Sequence, residues 1–376
     1  MAPPCWRALR GAATVSRRGI RQQLRRTDRP AAGAATRRVI FHSQESPEEL
    51  AFDRALRPRT FAEFIGQRAV CDNLEIAIQA ARTRGEPLDH VLLAGPPGLG
   101  KTSLSYLIAA GMGTEITVTA GPILNSPKDL MGPLSRLGRG DVFFIDEIHR
   151  MPRTVEEYLY AAMEDQSVDV VVDPGVSGRS VRLTVEPFTL VGATTREGLL
   201  TAAFRSRFGL IERLRPYPDE DIRAILLRAA GLLGVPMPHD AADYLARHSR
   251  GVPRHALRIQ RRVRDLAQVR GAVAMDLTVV RETLERLQID GLGLEEMDRK
   301  ILTALITRGE AIGLKTLAAM VDEAEDTLED VFEPHLIRCG LLTRTPRGRL
   351  ATAKAYDHLG IVPGQRPGQN ELPFGG

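Results

Sequence analysis

No stretch of this 376-residue chain approaches the ~18–20 consecutive apolar residues that a membrane span requires, so no transmembrane helix is expected. Cysteine is scarce. Cys5, Cys71 and Cys339 share no disulfide or metal spacing, which fits a protein kept in a reducing cytosol. Lysine is missing from residues 1–44 and acid nearly so: ten arginines face a single acid, Asp28, giving that segment +9. With a net charge of +4 overall, the remainder carries −5. Contact with nucleic acid must then come from local basic patches rather than bulk charge. No apolar h-region follows the arginines, which excludes a secretory signal. The leader also lacks helical or strand periodicity. It reads as disordered, or as an addition from an upstream start codon, with an organellar transit peptide as the alternative.

What remains is ordinary for a globular protein: 43% apolar and 26% charged residues, in a length that suggests two or three domains. A short helix is expected at 61–65 and an amphipathic one at 68–84. Strand signals at 91–94, 115–119, 142–145, 188–191 and 209–214, mostly separated by helix patterns, indicate a mainly parallel sheet covered on both faces. After Pro218 the strand signals stop. Helices read at 219–233, 240–250, 254–269 and 277–287, punctuated by Gly and Pro. Gly291-Leu292-Gly293 reads as a linker. Three further helices (297–307, 314–320, 327–339) and a hairpin (341–345 with 349–353) describe a winged helix. The expected division is a leader 1–47, an ATPase segment 48–217, a helical lid 218–290, a winged helix 291–362 and a disordered tail 363–376.

The run Gly95-Pro96-Pro97-Gly98-Leu99-Gly100-Lys101-Thr102 matches the P-loop pattern, between an apolar strand and a helix. Backbone N–H groups of such a loop, at a helix N-terminus, hold a di- or triphosphate. Lys101 reaches the β/γ-phosphates and the Thr102 hydroxyl holds Mg²⁺. Some 45 residues on, Val142-Phe143-Phe144-Ile145 ends in Asp146 and Glu147. Asp146 fits the acid that supports the metal, through water. Glu147 fits the base that activates the attacking water. Alternating strands around Asp173-Pro174-Gly175 read as a protruding hairpin. Arg344, Arg347 and Arg349 crowd the wing, where they are expected to fan outward onto phosphates without reading bases. Arg261, Arg262 and Arg264 read as a solvated or intersubunit face.

Gly192-Ala193-Thr194-Thr195-Arg196 follows another apolar strand. Together with the P-loop, the Asp-Glu strand and the helical lid, it resembles the AAA+ ATPases. The resemblance implies that Thr195 is the sensor polarising the water. It makes Arg207, in Phe204-Arg205-Ser206-Arg207-Phe208, an arginine finger supplied in trans, with Arg205 the adjacent candidate. It makes Arg254, after Gly251-Val252-Pro253, a second sensor on the lid.

Four further strings narrow the resemblance: Phe144 to Arg150, Ala162-Met163-Glu164-Asp165, Asp298-Arg299-Lys300 and Arg344 to Arg349. In that order over about 48–362, the chain is similar to the AAA+ motors that drive Holliday-junction branch migration. This implies nucleotide contacts at Gly98, Leu99, Gly100, Lys101, Thr102, Ser103, Glu164, Asp165, Gln166 and Arg207. Leu56, Arg57, Tyr217 and Pro253 line the adenine pocket. The cofactors implied are ATP and Mg²⁺. The partners implied are double-stranded DNA at four-way junctions, RuvA docked through the hairpin at about 166–187, a RuvC-type resolvase, and five further copies in a homohexameric ring. The compartment implied is the bacterial cytoplasm, or an organelle if the leader is a transit peptide. Two rivals stand beside this: a clamp-loader or initiator-like ATPase switch, and a DNA-binding scaffold that holds nucleotide structurally.

Overall fold

Val91, Leu92, Leu93 and Ala94 offer no polar side chain, and the strand they form, β1 (Val91–Ala94), is buried along its whole length. So is β6 (Thr189–Thr194), and so is β3 (Val142–Asp146) as far as Ile145. These belong to a computed structural model that describes residues 56–171 and 180–361. The expected leader, the hairpin tip 172–179 and the tail lie outside the described residues. With β2 (Ile116–Ala120) and β7 (Leu210–Arg213) at the edges, the strands make one parallel sheet in the order β2-β3-β6-β1-β7. Both faces are covered, which is why the central strands read as unbroken apolar runs. Alternate residues feed opposite cores: Leu93, Phe144 and Val191 enter one, while Leu92, Phe143 and Leu190 enter the other.

Because β6 lies between β1 and β3, with Ala94 opposite Thr194 and Ile145 opposite Gly192, three neighbouring strands end at one carboxyl edge. Gly95, Thr195 and Glu147 are the first residues past, or one past, those ends. This is the crevice where open parallel sheets bind ligands.

Around the sheet stand α1 (Arg68–Arg84), α2 (Lys101–Met112), α3 (Pro127–Leu134), α4 (Arg153–Asp165) and the short α5 (Ala202–Arg205). The helix expected at 61–65 is a single 3-10 turn, Phe61–Glu63. α3 starts at a capping box between Ser126 and Asp129 with Pro127 in the first turn, the one place a helix tolerates proline freely. β4 (Ser167–Val171) and β5 (Ser180–Thr184) pair antiparallel as the base of the expected hairpin.

The lid is α6 (Asp219–Leu233), α7 (His239–Arg247), α8 (Pro253–Arg270) and α9 (Leu277–Arg286). Its Ile222, Leu226, Leu245, Ile259 and Val280 share one hydrophobic cluster with Leu104 and Ile108 of α2. The lid therefore packs into the same core as one face of the sheet. The expected linker is pinned rather than loose: Leu292 and Leu294 N–H both donate to Asp290 Oδ1 at 2.9 Å.

The last segment has its own core around Leu302, Leu305, Leu317, Leu336 and Leu341. It comprises α10 (Glu296–Arg308), α11 (Leu314–Val321), the paired strands β8 (Leu342–Thr345) and β9 (Gly348–Ala351), and a final helix Ala353–Leu359 that the sequence did not announce. The helix expected at 327–339 is interrupted. A short piece, Glu325–Thr327, runs into a π turn, Leu328–Phe332, before regular geometry resumes at Glu333–Arg338. π turns are rare and concentrate at functional sites. The α/β P-loop core, helical lid and winged helix agree with the expected fold class.

Candidate nucleotide site and its surroundings

The loop between β1 and α2 bends through positive φ at Gly95, Gly98 and Gly100 (139°, 78° and 103°), which only glycine adopts without strain. At Gly98 a methyl would lie 2.9 Å from Val252 and 3.0 Å from Arg254, so the loop also needs glycine to meet the start of α8. A backbone bond from Arg254 N–H to Gly98 O, 3.3 Å, ties the lid to the loop. Between loop and lid lies a cavity of about 440 Å³, within the range of ligand sites. Of the residues expected at the nucleotide, Leu56, Arg57, Gly98, Leu99, Gly100, Lys101, Thr102, Ser103, Asp146, Glu147, Tyr217, Pro253 and Arg254 line it.

Sequence reasoning missed several of its walls. Arg228 of α6 donates to Leu56 O at 2.8 Å and to Glu63 at 2.8 Å, holding the N-terminal strap in place. The Arg57 guanidinium stacks 4.6 Å from the Tyr106 ring centre, and Phe64 and Ile225 complete the apolar wall. Tyr217 donates its hydroxyl to Leu99 O at 3.0 Å and is buried, which raises its pKa above the ordinary phenol. No short motif joins these positions. They meet only after the lid has folded back.

Lys101 is buried and donates to Gly95 O at 2.7 Å and Pro96 O at 2.9 Å. Burial lowers its pKa from the ordinary lysine value, opposed by Asp146 and Glu147. Burial likewise raises Asp146, with Lys101 as the main opposing influence, and raises Glu147, with Asp146 adding to the effect. One hydroxyl, Thr102, and one carboxylate, Asp146, both in the cavity wall, are hard oxygen donors of the kind Mg²⁺ takes alongside phosphate and water. Those residues fit the ion. Glu147 itself stands in left-handed backbone, φ 48°, its N–H donating to Asp146 Oδ1 at 3.0 Å. Such strain at a non-glycine residue persists only when its surroundings enforce it. His149, which the sequence reading passed over, lies 3.5 Å from Glu147 Oε2 and shares a 2.9 Å hydrogen bond with Thr194.

Thr195 Oγ1 lies 3.5 Å from Glu147 Oε2, at the outer limit of a hydrogen bond. It is nearer to a residue of the winged segment, Asp330 Oδ2, at 3.3 Å. Arg196 continues that contact: Nε donates to Asp330 Oδ1 at 2.9 Å. Its Nη2 sits 3.0 Å from Asp326 and 3.3 Å from Glu329, charge contacts without hydrogen-bond alignment.

Arg207, Glu164, Asp165 and Gln166 are absent from the cavity wall. Arg207 pairs with Glu164 at 3.1 Å and stacks on Tyr160, 4.6 Å from its ring centre, while also bonding the Tyr160 hydroxyl. All four expected residues are exposed, so they form a second group on another surface of the same subunit.

At the wing, the arginines do not all fan outward. Arg347 sits exposed in the turn. Arg349 is turned inward: its side chain is 14% exposed, and its Nε donates to the fully buried Glu333 at 2.7 Å. Arg344 is 47% exposed and pairs with Glu333 at 2.6 Å. A buried carboxylate needs a cation, and Glu333 takes two.

Three family models match in chain order: the Holliday junction DNA helicase RuvB P-loop domain over residues 56–214, the RuvB AAA lid domain over 217–290, and the RuvB C-terminal winged helix domain over 291–360. Holliday junction branch migration complex subunit RuvB from Chlorobaculum tepidum is 52% identical over 318 residues, covering 83% of this chain and 92% of that protein. The namesake from Prosthecochloris aestuarii is 49% identical over 328 residues, 86% of this chain and 96% of that one. The solved Thermotoga maritima RuvB Holliday junction branch migration motor superposes with a TM-score of 0.75 at 48% identity, covering 82% of this chain and 99% of that one. From its P-loop to its winged helix, the chain belongs to the RuvB family.

Proposed function

We propose that this chain is the ATP-hydrolysing motor subunit that drives branch migration of Holliday junctions in recombination and repair. The observation that carries the reading is the convergence of Lys101, Asp146 and Glu147 on one cavity edge, with Thr195 outside the cavity wall but 3.5 Å from Glu147, while Arg207 lies outside that cavity and pairs with Glu164. Lys101 neutralises phosphate charge and Thr102 and Asp146 hold Mg²⁺, which, when bound, draws off the charge that develops on the phosphates. Glu147, its proton affinity raised by burial, takes the proton of the attacking water. Thr195 orients that water. Arg254, at the mouth of the lid, reports the γ-phosphate. Arg207, with Glu164, Asp165 and Gln166, completes the site of the next subunit. That arrangement needs a head-to-tail interface between copies, which makes a ring when its rotation closes; a homohexameric ring is the assembly proposed.

The ATPase segment 48–217 and lid 218–290 change their mutual angle on hydrolysis, and the winged segment 291–362 pulls on the duplex backbone. Arg344 and Arg347 contact phosphate without reading sequence, as a motor that crosses any sequence requires, while Arg349 is held inward on Glu333. The hairpin at 166–187 docks RuvA, and a RuvC-type resolvase acts on the moving junction. The work is done in the bacterial cytoplasm. The first test is Glu147→Gln: nucleotide should still bind, and turnover should be lost. Turnover at the wild-type rate would remove Glu147 from the role of base.

A further inference from the structure

The π turn Leu328–Phe332 carries two acids that both meet Arg196, and one of them also reaches the wing. Asp330 accepts from Thr195 Oγ1 at 3.3 Å and from Arg196 Nε at 2.9 Å. Glu329 reaches Arg196 Nη2 with one oxygen at 3.3 Å, and with the other meets Arg349 at 3.2 Å and Arg344 at 3.4 Å. A continuous chain of charged and hydroxyl groups therefore runs from Glu147 at the nucleotide cavity to Arg344 on the wing. The Thr195 hydroxyl has one proton to donate. Shared between Asp330 and Glu147, it cannot be fully committed to the water that Glu147 activates.

We infer that Asp330 and Glu329 of the winged segment are positioning residues for hydrolysis: they hold Thr195 and Arg196 in a resting arrangement that duplex phosphate arriving at the wing releases. The inference rests on the assignment of Glu147 and Thr195 to hydrolysis and of the wing to DNA. Arg344 is the half-exposed end of the chain, open to a phosphate oxygen. A phosphate there competes with Glu333 and with the more distant Glu329 for the guanidinium and repels the charge of both. Glu329 and Asp330 are adjacent in one turn of backbone, so withdrawal of one shifts the other. The three acids Asp326, Glu329 and Asp330 are drawn together largely by Arg196, which makes the contact easy to unbalance.

Steady-state ATPase assays of the full chain, with and without linear duplex, test this on Asp330→Asn and Glu329→Gln. Asp330→Asn should raise the duplex-free kcat roughly fivefold, a modest coupling between two sites, and shrink the stimulation by duplex in proportion. KM for ATP should hold, because Asp330 does not line the cavity. A residue with a merely structural role would not divide kcat from KM in this way. Glu329→Gln should reduce stimulation likewise and tighten duplex binding, since Glu333 alone then competes for Arg344. If Asp330→Asn does not fold, Glu329→Gln decides alone. Wild-type values of kcat and stimulation in the folded variants would overturn the inference and leave the motor assignment untouched. A wild-type enzyme that hydrolyses ATP but ignores duplex would overturn both.

Discussion

His90 and Glu147 show how much depends on what surrounds a single side chain. His90 Nδ1 accepts the Leu190 N–H at 2.9 Å, and burial lowers its pKa from 6.5 to about 4. The unfolded chain binds a proton near pH 6.5 that the folded chain refuses until about 4. Stability present above pH 6.5 is therefore lost as pH falls through that window, up to about 3 kcal/mol. Denaturant titrations between pH 6.5 and 4 should show a shallower pH slope for His90→Asn, which keeps an acceptor and has no proton to take up. An unchanged slope would mean that other groups dominate. Of the side chains at the candidate site, the P-loop residues and the Asp-Glu pair were legible in sequence because their proposed roles need neighbours fixed by short spacing. Arg228, Tyr106 and His149 were not, because their roles depend on partners brought in by the folded lid and strand ends. Arg349 was legible as basic but not as inward-facing, since the buried Glu333 that turns it lies 16 residues away.

The strands and lid helices were legible as patterns: continuous apolar runs for a doubly covered sheet, and 3.6-residue periodicity with Gly and Pro stops for the lid. α3 hid behind Pro127 and Pro133, and the π turn at Leu328–Phe332 has no sequence signature distinct from a regular helix. The junction of lid and winged helix, which read as a loose glycine linker, is instead fixed by a buried pair. Arg250 Nη2 meets Asp298 Oδ2 at 2.6 Å, and Arg250 Nε donates to Gly293 O at 2.7 Å. Asp298→Ala would strand a buried guanidinium, so a loss of about 3–5 kcal/mol is expected in denaturant unfolding. A loss under about 1 kcal/mol would mean the junction does not hold the two segments together.

At the scale of the whole molecule, the proposed active site is divided between two surfaces. Arg207 with Glu164 on one face and Lys101 with Glu147 on another cannot serve the same nucleotide within one subunit as they stand. Subunits carrying Arg207→Ala and subunits carrying Glu147→Gln should each be inactive alone, and mixing them should restore ATPase, because some interfaces then pair an intact finger with an intact base. Mixtures as dead as their components would argue that Arg207 acts within its own subunit. Hydrolysis at this cavity is proposed to move a junction. Branch migration of a synthetic four-way junction, with ATP and RuvA, compares wild type with Lys101→Ala most directly. Dissociation of the junction by wild type and its loss in the variant is the predicted result. Wild-type ATP hydrolysis with a stationary junction would contradict it.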